Sequence, residues 1–261
     1  MSRQLTMMET PEHPASSSKP LPWGFWATLG FSALIVFGNL VSVMIAAVGI
    51  VASGENPGLV ADPAQLASNG TLIALSILVS SPIVLGLTLL FANLRKGPTV
   101  KEYLALHEVG WKTMARWSVI LLLFAGLSDL MTLLLKQPIV PDFMLNLYQT
   151  ATSKTLLWIA LVVAAPVSEE IFFRGFVFYG IENTQMGPKG AIILSSLLWT
   201  PLHMQYDFYN LAAVMVLGLL LGYARFKGNS VYIAIVMHAL MNFIAAMEVM
   251  LQIALTPNGT A

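Results

Sequence analysis

The chain has 261 residues, 57% of them hydrophobic and 10% charged, against about 25% charged in a soluble domain. A formal net charge of zero argues against a nucleic-acid partner. The absence of cysteine excludes disulfides, thiolate metal sites and a cysteine nucleophile. The expected fold class is therefore all-α, a polytopic transmembrane helical bundle.

In chain order, residues 1–22 read as a disordered polar tail rich in Pro and Ser. Seven segments are long and apolar enough to span a bilayer, at 23–53, 71–93, 117–135, 155–181, 188–206, 209–226 and 229–252. The first is too long for an upright span and is expected to tilt. The loop at 54–70 carries Glu55 and Asp62 and no Lys or Arg. The loop at 95–116 holds Arg95, Lys96, Lys101, Lys112 and Arg116, and is expected to lie along the cytoplasmic interface. Residues 141–153 are expected to do the same on the opposite face. Lys189 follows the fourth segment, and Arg225 and Lys227 precede the last. A cytoplasmic N-terminus puts ten of the 13 Lys and Arg on that side, which orients seven helices with the N-terminus in and the C-terminus out. Residues 23–153 form the N-terminal transmembrane helices and interfacial segments. Residues 154–252 carry the chemistry, and 253–261 are a C-terminal tail.

The fourth segment contains Glu169, Glu170 and Arg174 in an otherwise apolar run. Each such charge costs about 2.5–3.5 kcal/mol at a helix centre on the mildest scale. In a helix Glu170 and Arg174 share a face and can neutralise each other, while Glu169 is turned about 100° away. A structural ion pair needs one carboxylate, so Glu169 requires another explanation. Glu182, at the cytoplasmic end of this helix, is expected to reach water. Two later segments each carry a histidine: His203, four residues after Trp199, and His238, four residues before Asn242. Pro166 and Pro201 lie just before Glu169 and His203, and each removes a backbone hydrogen bond that protein or water must replace. A carboxylate with a histidine can hold and deprotonate a water, and a second histidine with an asparagine offers donors to an oxyanion. That set suits peptide-bond hydrolysis without a cofactor. The alternative is a zinc site with Glu169, His203 and His238 as ligands.

Taken together, E-E-x-x-x-R at Glu169 to Arg174, aromatic-x-x-x-His at Trp199 to His203, and His-x-x-x-Asn at His238 to Asn242 resemble the three motifs of the CPBP (Abi) family. These are the CAAX-processing and bacteriocin-processing intramembrane proteases, related to the type II CAAX prenyl endopeptidase. The resemblance covers roughly residues 155–245, in motif order; Trp199 stands where phenylalanine is more usual. It implies that Glu169 is the general base, that His203 helps hold the water, and that His238 and Asn242 stabilise the oxyanion. Glu170, Arg174 and Trp199 would be supporting residues.

The expected function is thus an intramembrane endopeptidase acting on a membrane-associated or C-terminally lipidated, CAAX-type peptide. Its expected surroundings are a lipid bilayer, with a bacterial plasma membrane as the expected location. Two alternatives belong to other classes. One is a non-catalytic bacteriocin-immunity or scaffolding protein that binds a peptide. The other is a proton-coupled transporter, which the lack of internal repeats disfavours.

Overall fold

A computed structural model describes residues 22–52 and 68–256. The tail at 1–22 (all but its last residue), most of the 54–70 loop, and all but the start of the 253–261 tail lie outside the described residues. Nine helices and no strand occur among the described residues: α1 (Phe25–Ala52), α2 (Gly70–Leu94), α3 (Val100–Tyr103), α4 (Trp111–Leu134), α5 (Asp142–Thr150), α6 (Lys154–Glu182), α7 (Gly187–Trp199), α8 (Phe208–Gly228) and α9 (Val231–Leu255). Six of them, α1, α2, α4, α6, α8 and α9, are long and apolar enough to cross a membrane. Large apolar side chains such as Phe37, Met44, Leu123, Leu127 and Leu134 stand exposed along α1 and α4. On an integral membrane protein these are lipid-facing surfaces.

Local chemistry sets the helix ends. Asn69 caps α2 by accepting from the Leu72 N–H at 3.0 Å. Thr99 and Glu102 form a reciprocal capping box that closes the one-turn α3. Ser230 caps α9 and Asp207 caps α8, and Asn229 takes the left-handed conformation (φ 46°) between them. That turn is tied back to the segment after α3, where Ser230 Oγ donates to the His107 carbonyl at 2.6 Å. α4 begins at Trp111, six residues before the predicted 117, because Gly110 starts the helix and nothing interrupts it afterwards. Part of the expected interfacial stretch is thus its first turns. α5 occupies the predicted 141–153 segment and docks at the start of α2. Gly70 is needed there, since a Cβ would meet the Leu147 carbonyl oxygen at 1.9 Å.

The predicted segment 188–206 is resolved differently. α7 is a 13-residue helix, followed by a 3-10 turn at Thr200–His203. Pro201 therefore does not kink a long helix. It sits in the turn that ends a short one, and His203 is on that turn.

α6 is the centre of the bundle. It runs unbroken for 29 residues but changes register twice, with π-helical stretches at Ile159–Ala164 and Ile171–Val177. Such stretches insert an extra residue per turn and recur at functional sites. α6 packs on α2 through small polar residues: Ser168 Oγ donates to Ser81 Oγ at 3.1 Å, and Ser81 Oγ to the Ala164 carbonyl at 3.3 Å. Its second half lies in the main core, where Phe172, Phe173, Phe176 and Phe178 pack with Trp199 and Leu221.

Candidate active site

Trp199, at the last position of α7 and 1% exposed, is the side chain on which the predicted residues converge. Its indole Nε1 donates to Glu169 Oε2 at 2.6 Å. The Arg174 guanidinium lies over its ring at 4.6 Å. The His203 ring meets it edge-on at 4.6 Å between centroids, and the His238 ring at 5.3 Å. The phenylalanine more usual at this position could make the ring contacts but not the bond to Glu169. His203 also stacks on Tyr206 at 6.4 Å, while its Nδ1 lies 3.5 Å from the Trp199 carbonyl oxygen, at the outer limit of a hydrogen bond.

The two adjacent carboxylates have separate surroundings. Glu170 is fully buried, and its Oε1 accepts from Arg174 Nη1 at 3.1 Å and from His238 Nδ1 at 2.9 Å. Arg174 Nη2 donates to the Gly218 carbonyl of α8 at 3.1 Å. A Cβ on Gly218 would lie 3.1 Å from the Trp199 ring and 3.3 Å from Arg174, so glycine permits this approach. Because a carboxylate oxygen only accepts, the His238 proton in this bond is on Nδ1, and its Nε2 donates only when the ring is an imidazolium. Glu170 Oε2 and Arg174 Nε are buried without a hydrogen-bond partner. Each such atom costs about 1–3 kcal/mol, so the cluster is a poor device for stability alone. Glu169, by contrast, is partly exposed. It carries no counter-charge of its own among the ion pairs of the described residues.

Asn242, one turn beyond His238 on α9, donates from Nδ2 to the Leu161 carbonyl at 2.7 Å. Leu161 belongs to the first π-helical stretch of α6.

The three residues of the zinc alternative do not assemble as ligands. No group of three His, Asp or Glu side chains that could hold a metal occurs among the described residues. No step is therefore drawn through a metal. Ser195 and Ser196 are buried and donate back to the Ile192 carbonyl, as helical serines do.

The model of the family "Type II CAAX prenyl endopeptidase Rce1-like" matches residues 151–244. That family is one of proteases, and the matched residues coincide with the region in which the motifs resemble intramembrane proteases. No curated protein and no solved structure matches the chain. The matched residues take in α6, α7, α8 and the first half of α9, hence every side chain named above. α1 to α5 lie outside them.

Two features of this region escaped the sequence reading. The first is Gly218, one of several glycines in an apolar helix, with no signal to set it apart. The second is Arg225. Read as a residue of a cytoplasmic loop, it is 2% exposed and forks onto Glu182, Nη1 to Oε2 and Nη2 to Oε1, each at 3.1 Å. Its Nε donates to the Arg174 carbonyl in the second π-helical stretch at 3.0 Å, and its guanidinium covers Phe178 at 4.1 Å. Glu182, partly exposed as expected at this helix end, is also engaged inside the bundle. Its spacing to Arg225, 43 residues, carries no local signal.

Proposed function

We propose that this protein is an intramembrane endopeptidase that hydrolyses a peptide bond of a membrane-associated or C-terminally lipidated, CAAX-type substrate, using a water activated by Glu169. The observation that carries the reading is the division of labour between the two carboxylates. Glu170 is consumed by Arg174 and His238, whereas Glu169 is partly exposed and held on one oxygen by the Trp199 indole. Its other oxygen is the base.

In the first step a water positioned by Glu169 and His203 gives a proton to Glu169, and its oxygen bonds to the substrate carbonyl carbon. The carbonyl π electrons move onto oxygen, and the His238 imidazolium, held from behind by Glu170, donates to that oxyanion through Nε2. In the second step the C–N bond breaks and the proton on Glu169 passes to the leaving amine. No cofactor takes part in this scheme. The setting is a bilayer, and the plasma membrane of a bacterium is the proposed location.

The test is cleavage of a fluorogenic peptide library by detergent-purified protein, comparing the native chain with Glu169→Ala and His203→Ala, each with and without a strong chelator. Activity that both substitutions abolish and the chelator leaves intact is the expected result. Activity lost to the chelator and restored by zinc would retain the protease and overturn the scheme. Peptide retention without cleavage, dependent on Glu169, would favour a binding protein instead.

A further inference from the structure

The resemblance implies an oxyanion role for Asn242; the geometry points to a further one, that of a positioning residue that holds the register of α6 through one of its two amide N–H groups. In the first π-helical stretch the Ala165 N–H bonds to the Ala160 carbonyl, five residues back. The next bond in that register would run from residue 166 to the Leu161 carbonyl. Residue 166 is proline and has no N–H. The carbonyl left over is the one that Asn242 Nδ2 reaches from α9 at 2.7 Å. An unpaired carbonyl inside a membrane bundle is costly, so this side chain completes the backbone of another helix.

The consequence reaches the site because the clamp precedes the two carboxylates on the same helix. Leaving the π register by one residue turns everything beyond it by about 100°. That is the angle separating Glu169 from Glu170. The Asn242 clamp thus selects which carboxylate meets the Trp199 indole and which meets His238. Pro166 and Asn242 act as one device, with the proline removing the competing donor and the amide supplying the replacement. The catalytic consequence rests on the reading of Glu169 as the base; the clamp itself does not.

A double-substitution cycle tests this, because Pro166→Ala restores a backbone N–H that can bond Leu161 in the same register. Asn242→Ala, Pro166→Ala and the double variant are measured for kcat and KM on a cleaved peptide and for thermal unfolding in detergent. Asn242→Ala alone is expected to lower kcat about tenfold or more with KM little changed, and to lower Tm. In the Pro166→Ala background both effects shrink severalfold, as expected for groups that share one partner. An oxyanion donor would lose the same factor of kcat in both backgrounds, and additive effects on kcat and Tm would overturn the clamp. If Asn242→Ala does not fold, recovery of folded protein by Pro166→Ala supports the clamp, and failure in both backgrounds overturns it. Should the native chain cleave nothing, the proposed function falls while the Tm cycle still decides the clamp.

Discussion

At the scale of single residues, adjacent glutamates of identical chemistry are separated by what surrounds them. Glu169 accepts one indole N–H and is partly open, while Glu170 is closed in with Arg174 and His238. Substituting each by glutamine is therefore expected to fail in different ways. Glu169→Gln keeps an oxygen that can accept from Trp199 and leaves no buried charge behind, so thermal unfolding moves little. Peptide cleavage falls about 10²–10⁴-fold, the usual contribution of a general base. Glu170→Gln strips the counter-charge from a fully buried guanidinium, which costs about 3–5 kcal/mol when one partner of such a pair is removed. Its unfolding temperature falls together with activity. Measuring both variants by unfolding and by cleavage checks the assignment. A stable, inactive Glu170→Gln beside an active Glu169→Gln would exchange the two roles.

At the scale of elements, α6 gets its apolar length from its own sequence and its register from other helices. Asn242 of α9 closes its first π-helical stretch, and Arg225 of α8 reaches the Arg174 carbonyl in its second. Arg225 is tied at the same time to Glu182, so its removal orphans a partly buried carboxylate and a π-helical carbonyl together. Arg225→Ala is expected to destabilise the bundle by about 3–5 kcal/mol. The Arg225→Met, Glu182→Leu pair, with no charge left unpaired, recovers much of that loss, as thermal unfolding of the three proteins would register. Equal loss in the single and double variants would mean that the carbonyl contact, not the fork, is what matters.

These contacts also mark how far the sequence could be read. Apolar length alone placed the span of α6, and the four-residue spacing paired Trp199 with His203, although His203 lies on a 3-10 turn and not on a continuing helix. Hydropathy does not register whether an N–H bonds four or five residues back. The π-helical stretches, and the assignment of His238 to Glu170 rather than Glu169, were therefore out of reach. Pro166 was visible as the source of a freed carbonyl, but its partner lies 81 residues from Leu161. Arg225 was placed at the right helix end, but its partner was not legible, because a basic residue there looks the same whether it faces water or a partly buried carboxylate.

At the scale of the whole molecule, the short α7 decides how the chain threads the membrane. Six helices have membrane length, yet α7 lies between two of them, α6 and α8, and joins them through the turn that carries His203. Thirteen residues of α-helix and four of 3-10 helix rise by about 28 Å at about 1.5 and 2.0 Å per residue, against a hydrocarbon core of about 30 Å. Seven traverses, as expected from the sequence, therefore require α7 to cross with its 3-10 turn included, beside the six full-length spans. The absence of cysteine in the native chain allows a direct test with single cysteines at exposed positions. Lys96, Lys136, Lys189 and Gln205 are all exposed. Lys96→Cys and Lys189→Cys are expected to react with an impermeant thiol reagent from the cytoplasmic side, and Lys136→Cys and Gln205→Cys from the opposite side, following the bias of basic residues. All four reversed would overturn the orientation but keep the threading. Gln205→Cys labelled from the same side as Lys189→Cys would make α7 a re-entrant element, moving the His203 turn, and the water it is proposed to hold, to the cytoplasmic half of the bilayer.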